Sequence, residues 1–255
     1  MELALRSYEF WLSQYRRTWR GTVVTSVVNP VFYLSALGIG LGTLVNRAHS
    51  TPGGVPYLAY VAPGVLAATA MQVGTVEATW PVLGSIKWTR SYYAMLATPL
   101  GIRDIVLGHQ LWMTTRVVSS SAVYLVVIAA FGGIRSWLAV LAFPACFLIG
   151  LAFSAPMAAY AATREADSAF VAVFRFAIVP MFLFSGTFFP VSRLHTPLRQ
   201  IAYATPLFHG VSLCRGLTLG TIGWPAALGH SAYLLALGVA GFIIAQRTYR
   251  QRLAK

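Results

Sequence analysis

Long apolar stretches alternate along this chain with short segments where arginines, acids and prolines gather. Six stretches of about twenty apolar residues, the length that crosses a hydrocarbon core of ~30 Å, fall at 21–45, 57–84, 111–131, 137–162, 169–189 and 226–245. None shows the alternation of a barrel strand, and backbone polar groups in lipid must be satisfied within the segment, so the pattern predicts helices. The expected fold is an all-α integral membrane protein, a single domain over 1–255 with six transmembrane helices. An even number of spans puts both termini on one side.

The arginine and lysine distribution chooses that side. With the termini inside, twelve of the nineteen basic residues lie inside: Arg6, Arg16, Arg17, Arg20, Lys87, Arg90, Arg103, Arg164, Arg247, Arg250, Arg252 and Lys255. The outer loops hold Arg47, Arg135, Arg193, Arg199 and Arg215, while Arg116 and Arg175 fall within spans. Both termini are therefore expected in the cytoplasm, and the first run, too long and too late for a cleaved leader, is expected to be retained.

Two segments flank or interrupt the spans. In residues 1–20, Leu5, Tyr8, Trp11, Leu12, Tyr15 and Trp19 share one helical face and Arg6, Glu9, Ser13, Arg16, Arg17 and Arg20 largely the other, the pattern of an amphipathic helix lying in the inner interface. The region around 190–215, broken by Pro190, Pro197 and Pro206, lacks a run long enough to span. Half-apolar, broken segments at membrane depth are buried against protein, so one or two short re-entrant helices are expected before the last span.

Composition agrees. Hydrophobic residues make up 57% and charged residues 10%, against roughly a quarter charged in soluble domains. The formal net charge of +13 is largely a consequence of topology, so nucleic acid is not an expected partner. Cys146 and Cys214 have neither CxxC nor zinc-ligand spacing, and no metal site is expected.

The chemistry is sparse. A phosphate-binding P-loop needs a Gly-Lys pair, and neither Lys87 nor Lys255 follows glycine. The histidines, His49, His109, His195, His209 and His230, never fall at HExxH spacing, and no GxSxG occurs. The chain is not expected to be an enzyme or to hold a cofactor. Polar candidates inside spans are Glu77, Arg116 and Arg175, with the run Ser119–Ser121. An ionisable group in a span is costly unless paired or hydrated, so each is expected to face the bundle interior, a pathway or the interface, and a Glu77–arginine pair is one arrangement. Gly38, Gly40 and Gly42 form a small-residue pattern compatible with a dimer seam.

Between the second and third runs stands YYAMLATPLGIRDIVLGHQLW. Thr98 followed by Pro99 is an N-cap and first-turn pair. Leu100, Ile102, Ile105, Val106 and Leu107 then make an apolar side, with Arg103 and Asp104 projecting elsewhere. A short amphipathic helix at the cytoplasmic surface is expected, either capping a loop or docking a partner.

Three stretches in order, NPVFYLSALGIGLG, LATPLGIRDIVLGHQLW, and FLFSGTFFPVSRL with ATPLFHGVSLCRGL, resemble the ABC-2 type permeases, and among them the nodulation-type lipo-oligosaccharide exporter permeases and daunorubicin-resistance-like permeases. The resemblance runs through nearly the whole chain and implies six transmembrane helices in a bacterial plasma membrane. It also implies pairing with a second permease subunit, identical or different, and two copies of a cytoplasmic P-loop ATPase subunit that carries ATP and Mg. It places the ATPase-docking segment at Arg90–Asp104, with Arg90, Tyr92, Thr98, Pro99, Arg103 and Asp104 as docking residues. The re-entrant helices fall near Phe189, Pro190, Pro206 and His209. Glu77 falls where the nodulation-type permeases carry an acid. The implied function is export of an amphipathic cargo: lipo-oligosaccharide, lipid or hydrophobic drug. The loops that bear on cargo depart most from the family. Two other readings are weighed beside it: a proton-coupled secondary transporter using Glu77, which would be expected to show an internal repeat, and a membrane-embedded enzyme.

Overall fold

The computed structural model describes residues 2–47 and 54–254, all of whose regular elements are helical; His49 and Lys255 lie outside the described residues. The helices are α1 (Glu2–Ser35), α2 (Gly42–Arg47), α3 (Tyr57–Glu77), α4 (Trp80–Lys87), α5 (Ser91–Leu96), α6 (Ile102–Ala130), α7 (Ala142–Ala162), α8 (Ser168–Val173), α9 (Val179–Phe184), α10 (Thr196–Ala204), α11 (Pro206–Leu219) and α12 (Trp224–Leu253). Among the described residues, five stretches are long and apolar enough to cross a membrane: Glu2–Arg47, Tyr57–Lys87, Ile102–Ala130, Trp137–Ala162 and Trp224–Leu253.

The interfacial helix and first span expected as separate pieces form one continuous helix. From Glu2 to Arg47 the chain stays helical through Pro30, with a π turn over Ala36–Leu41 joining α1 to α2. The change from arginine-rich to apolar sequence near residue 20 alters what surrounds the helix, not its hydrogen bonding. The amphipathic part also has a protein partner: Ala4, Ser7 and Trp11 are buried, and α1 packs along α6. Gly108 permits the contact, because a Cβ there would lie 2.5 Å from the Ala4 carbonyl oxygen. Gly38 likewise packs inside the chain against α3, its would-be Cβ 2.7 Å from Leu58, while Gly40 has nothing within 4 Å.

The expected second span breaks at Ala78–Thr79 into α3 and α4, with Pro81 in the first turn of α4. Glu77 thus ends a helix. The expected fifth span, 169–189, is shorter: α8, a π turn over Phe174–Ile178 and α9 form an apolar helix over Ser168–Phe184. It stops because Gly186 takes the left-handed φ of 85°, a conformation that only glycine adopts readily.

After Pro190, α10 and α11 form a hairpin. Tyr233, nine residues into α12, donates its hydroxyl to the Ala204 carbonyl at 2.7 Å. At 1.5 Å per residue this sets the hairpin turn about 14 Å below the start of α12. Helix α11 then rises to Gly220, in the left-handed region, with Leu207, Val211, Leu213 and Cys214 buried against α3, α7 and α12.

Two apolar cores result. One gathers Leu66, Met71, Ile128, Ile149, Leu207 and Leu234 in the half that holds the hairpin; the other gathers Trp11, Leu83, Tyr92, Ile105, Met113, Phe170 and Tyr249 at the end carrying the N-terminus, α4–α5, the α7–α8 loop and the last turns of α12. That second end holds most of the arginines and is called the basic end.

Candidate functional site: a polar groove and an exposed segment at the basic end

Three residues on α1, Thr22, Ser26 and Asn29, recur at spacings of four and three, one face of a helix. They meet Thr69, Gln72 and Glu77 of α3 and Arg116, Ser120 and Tyr124 of α6 to line an open groove of about 470 Å³, which Phe182 of α9 also lines. The strongest interaction in it is an ion pair: Arg116 Nε donates to Glu77 Oε1 at 3.1 Å. Arg116 Nη1 donates to the Tyr15 hydroxyl at 3.1 Å, and the guanidinium lies 4.5 Å from the Tyr15 ring centroid. The pairing has a local cause. A carboxylate at a helix C-terminus opposes the helix dipole, and a lone charge at this depth is costly; Arg116 offsets both.

The groove is therefore amphipathic. Hydroxyl, amide and charged groups lie along it among Pro30, Val65, Ala68, Val73 and Val76. Asn29 and Gln72 are exposed within the apolar lengths of α1 and α3, positions where lipid could not satisfy their hydrogen bonds.

The second feature projects from the basic end. Arg90 adopts φ 50° and starts α5 in a left-handed turn. Trp88, Thr89, Arg90, Tyr93, Thr98, Pro99 and Arg103 are all exposed. Two of the residues expected here behave differently. Tyr92 is fully buried, so its side chain does not reach a partner on this surface; burial pushes its hydroxyl above the ordinary tyrosine range. Asp104 accepts a hydrogen bond from the Gly101 amide at 3.1 Å and so caps α6, its carboxylate satisfying an orphan donor near the positive end of the helix. Thr98 and Pro99 do not open a helix. Thr98 donates to the Met95 carbonyl at 2.6 Å in the turn after α5, and the expected amphipathic helix is the first turns of α6, which continues unbroken to Ala130.

An ionic junction lies beside this segment. Glu165, in the α7–α8 loop, bridges Lys87 at the end of α4, 2.8 Å away, and Arg252 in the last turn of α12. Hydrogen bonds first from Lys87 and then from Arg252 hold its carboxyl below the ordinary glutamate range.

The remaining expected residues scatter. Arg175 is exposed on the outer face of the α8–α9 helix, which excludes the bundle interior among the three settings expected for it, a bundle interior, a pathway or the interface. Phe189 and Pro190 lie in the extended stretch before α10, Pro206 starts α11, and His209 Nδ1 is 2.8 Å from His230 Nδ1. Sequence reasoning missed Arg215, read as an outer-loop residue. On α11 it donates to the carbonyls of Tyr60, Gly186 and Thr187 at 2.9, 2.8 and 3.1 Å and stacks 3.8 Å over the Tyr60 ring. The polar row on α1 was also missed, although its spacing is a readable signal.

Comparison with known proteins gives a consistent result. The ABC-2 type transporter family matches residues 4–219. Nodulation protein J of Rhizobium leguminosarum bv. viciae is 33% identical over 253 residues, 96% of this chain and 95% of that protein. Nodulation protein J of Rhizobium leguminosarum bv. trifolii is 34% identical over 218 residues, 82% of this chain and 81% of that one. The protein of the same name from Rhizobium meliloti (strain 1021) is 30% identical over 251 residues, 95% and 94% of the two chains.

Proposed function

We propose that this chain, which belongs to the ABC-2 type transporter family, works as the multi-pass plasma-membrane permease of an ATP-driven exporter whose ATPase subunit docks on residues 88–104. The observation that carries the docking is the exposed segment itself: Trp88, Arg90, Tyr93 and Arg103 project from the basic end of a chain without a Gly-Lys pair. Aromatic and arginine side chains of this kind dominate the energetics of protein interfaces. The excess of arginine at that end supports a cytoplasmic orientation for it and for both termini.

The groove supplies the other half of the reading. Its polar residues among apolar ones suit a cargo with a hydrogen-bonding head and a hydrocarbon portion, such as a lipo-oligosaccharide, and Asn29, exposed on the apolar length of α1, suits cover by a second permease subunit. Nucleotide-driven movement of the ATPase subunits shifts the permease only through contacts that differ between two states, so segment 88–104 must change its contacts during the cycle. Family membership takes the place of the proton-carrier alternative built on Glu77, whose carboxylate is paired to Arg116.

The test is to purify the tagged chain gently from its host and identify what accompanies it. A stoichiometric P-loop ATPase, lost in Arg90→Glu/Arg103→Glu, is expected. Asp104 is left intact because reversing it would uncap α6. Preparations free of ATPase in several detergents, or an ATPase retained by the double variant, would refute the docking.

A further inference from the structure

Tyr92 lies within the segment that projects from the basic end, yet its own side chain points the other way. Its hydroxyl lies 2.5 Å from His109 Nδ1 on α6 and 3.3 Å from the Tyr249 hydroxyl on α12. Trp11 of α1 lies flat on the His109 ring, with centroids 3.8 Å apart and 7° between planes. Helices α1, α5, α6 and α12 thus meet at one fully buried oxygen and the imidazole beside it.

Stability alone is a poor reason for this arrangement. The bonds make a one-way chain, either Tyr249 to Tyr92 to His109 or the reverse, and His109 Nε2 and Trp11 Nε1 remain buried with no hydrogen-bond partner among the described residues. Replacing both members of a buried hydrogen-bonded pair by apolar groups of similar shape is often close to neutral. What the polar chain adds is direction and register. An aromatic contact tolerates sliding, whereas a hydrogen bond weakens steeply with distance and angle. The hydroxyl therefore fixes α5 against α6 and α12 in one offset. The ionic junction of Lys87, Glu165 and Arg252 links the same stretch of chain to α12 a second time.

We propose that Tyr92 is a positioning residue of the transport cycle, whose hydroxyl passes displacement of the docking segment on to α6 and α12. The inference rests on the docking reading of residues 88–104. Movement of a partner against Trp88, Arg90 and Arg103 would reach the spans through a bond rather than through loose packing, and α6 carries it seven residues further, to Arg116 and the groove.

The experiment uses the permease together with its co-purified ATPase subunit in liposomes, with ATP alone as the probe. It reads the amount of ATPase bound, the rate of ATP hydrolysis relative to the isolated ATPase subunit, and the unfolding temperature. Tyr92→Phe is expected to keep the ATPase bound and the unfolding temperature near that of the parent, while the permease-dependent rate falls about tenfold, the size of effect that one hydrogen bond accounts for. His109→Leu should fall similarly. His109→Asn, which keeps an acceptor near the Nδ1 position, should stay within about twofold. Tyr92→Phe/Tyr249→Phe should fall no further than Tyr92→Phe, as residues of one network do. An unchanged rate in Tyr92→Phe overturns the inference. So does a loss in which all variants, His109→Asn included, follow their unfolding temperatures. Arg90→Glu/Arg103→Glu separates the two claims: if that variant still binds and stimulates the ATPase, the docking reading fails, whereas if it abolishes binding and Tyr92→Phe is silent, only the positioning role fails.

Discussion

In the half of the bundle that holds the hairpin, Arg215 donates to three backbone carbonyls, those of Tyr60, Gly186 and Thr187. At the basic end and along the groove the corresponding ties run mainly from one side chain to another across helices: Arg116 to Glu77 and Tyr15, Tyr92 to His109 and Tyr249, and Glu165 to Lys87 and Arg252, with one further bond from Lys87 to the Glu165 carbonyl. Beside the Arg215 hook, the hairpin half also holds side-chain pairing, as of His209 with His230. A carbonyl cannot turn away from its donor unless the backbone moves, so the Arg215 hook holds α3, the 185–190 stretch and α11 as one piece. A side-chain pair parts by rotamer changes, and its members find new partners or water. Under the proposed function, energy enters at the basic end, where the ties can be exchanged, and the hairpin half is the fixed body against which that end works.

The largest expected effect comes from breaking the hook. Arg215→Met keeps volume but removes charge-assisted bonds to buried carbonyls, each of about 1.5–3 kcal/mol, and the stack on Tyr60. A loss on the order of 3–5 kcal/mol is expected, a large share of a domain's usual total. It should be read as a much lower unfolding temperature in detergent, or as failure to accumulate. Arg215→Lys should recover only a part, because a single ammonium lacks the planar fork that reaches several acceptors at once. A full rescue by lysine would mean that charge, not the fork, fixes the hairpin, and the contrast between the halves would weaken.

Next in size is the groove pair. Glu77→Gln leaves Arg116 charged and largely buried, with Tyr15 as its remaining partner, at a cost of about 1–3 kcal/mol. Removing both charges in Glu77→Gln/Arg116→Gln should cost less than the sum of the single changes, since the uncompensated charge is then gone. Thermal unfolding of the three variants measures this directly. Additive costs would show that the two residues hold the fold separately, as Arg215 does, and not as an exchangeable pair.

How much of this could be read from the sequence follows the same division. The apolar runs mark the helices because lipid forces the backbone to close its own bonds, and the excess of arginine at one end is visible as a distribution along the chain. A Glu77–arginine pair was one of the arrangements that the cost of a charge in a span allowed, and cost alone did not choose it over the others. The start of α6 was not: Thr98–Pro99 has the stronger local signature, but Asp104 three residues after Gly101 caps the helix there, and glycine carries no side chain to advertise an N-cap. Tyr92 lies among Arg90, Ser91 and Tyr93, which read as surface, and only packing against Tyr249, far along the chain, buries it. Arg215 sits in a proline-broken stretch where an arginine reads as a loop residue. Its partners are backbone atoms that carry no residue identity, so no sequence pattern marks them.

The smallest effect is expected where the tie is most exposed. Glu165 keeps its carboxyl below the ordinary value of 4.5 through Lys87 first and Arg252 second. A group depressed on folding contributes stability that is present above its unfolded value and is lost as pH falls through its folded one. The unfolding temperature of Glu165→Gln should therefore lie slightly below that of the parent at neutral pH, with the gap closing as pH drops below 4.5. Added salt at neutral pH should close it too, because the three side chains stand in solvent-screened positions. A gap that survives both acid and salt would mean that the α7–α8 loop is held to α12 by packing. The junction would then belong with the fixed hook at Arg215, and the division between an exchangeable end and a fixed half would have to be drawn deeper, at Tyr92 and Arg116.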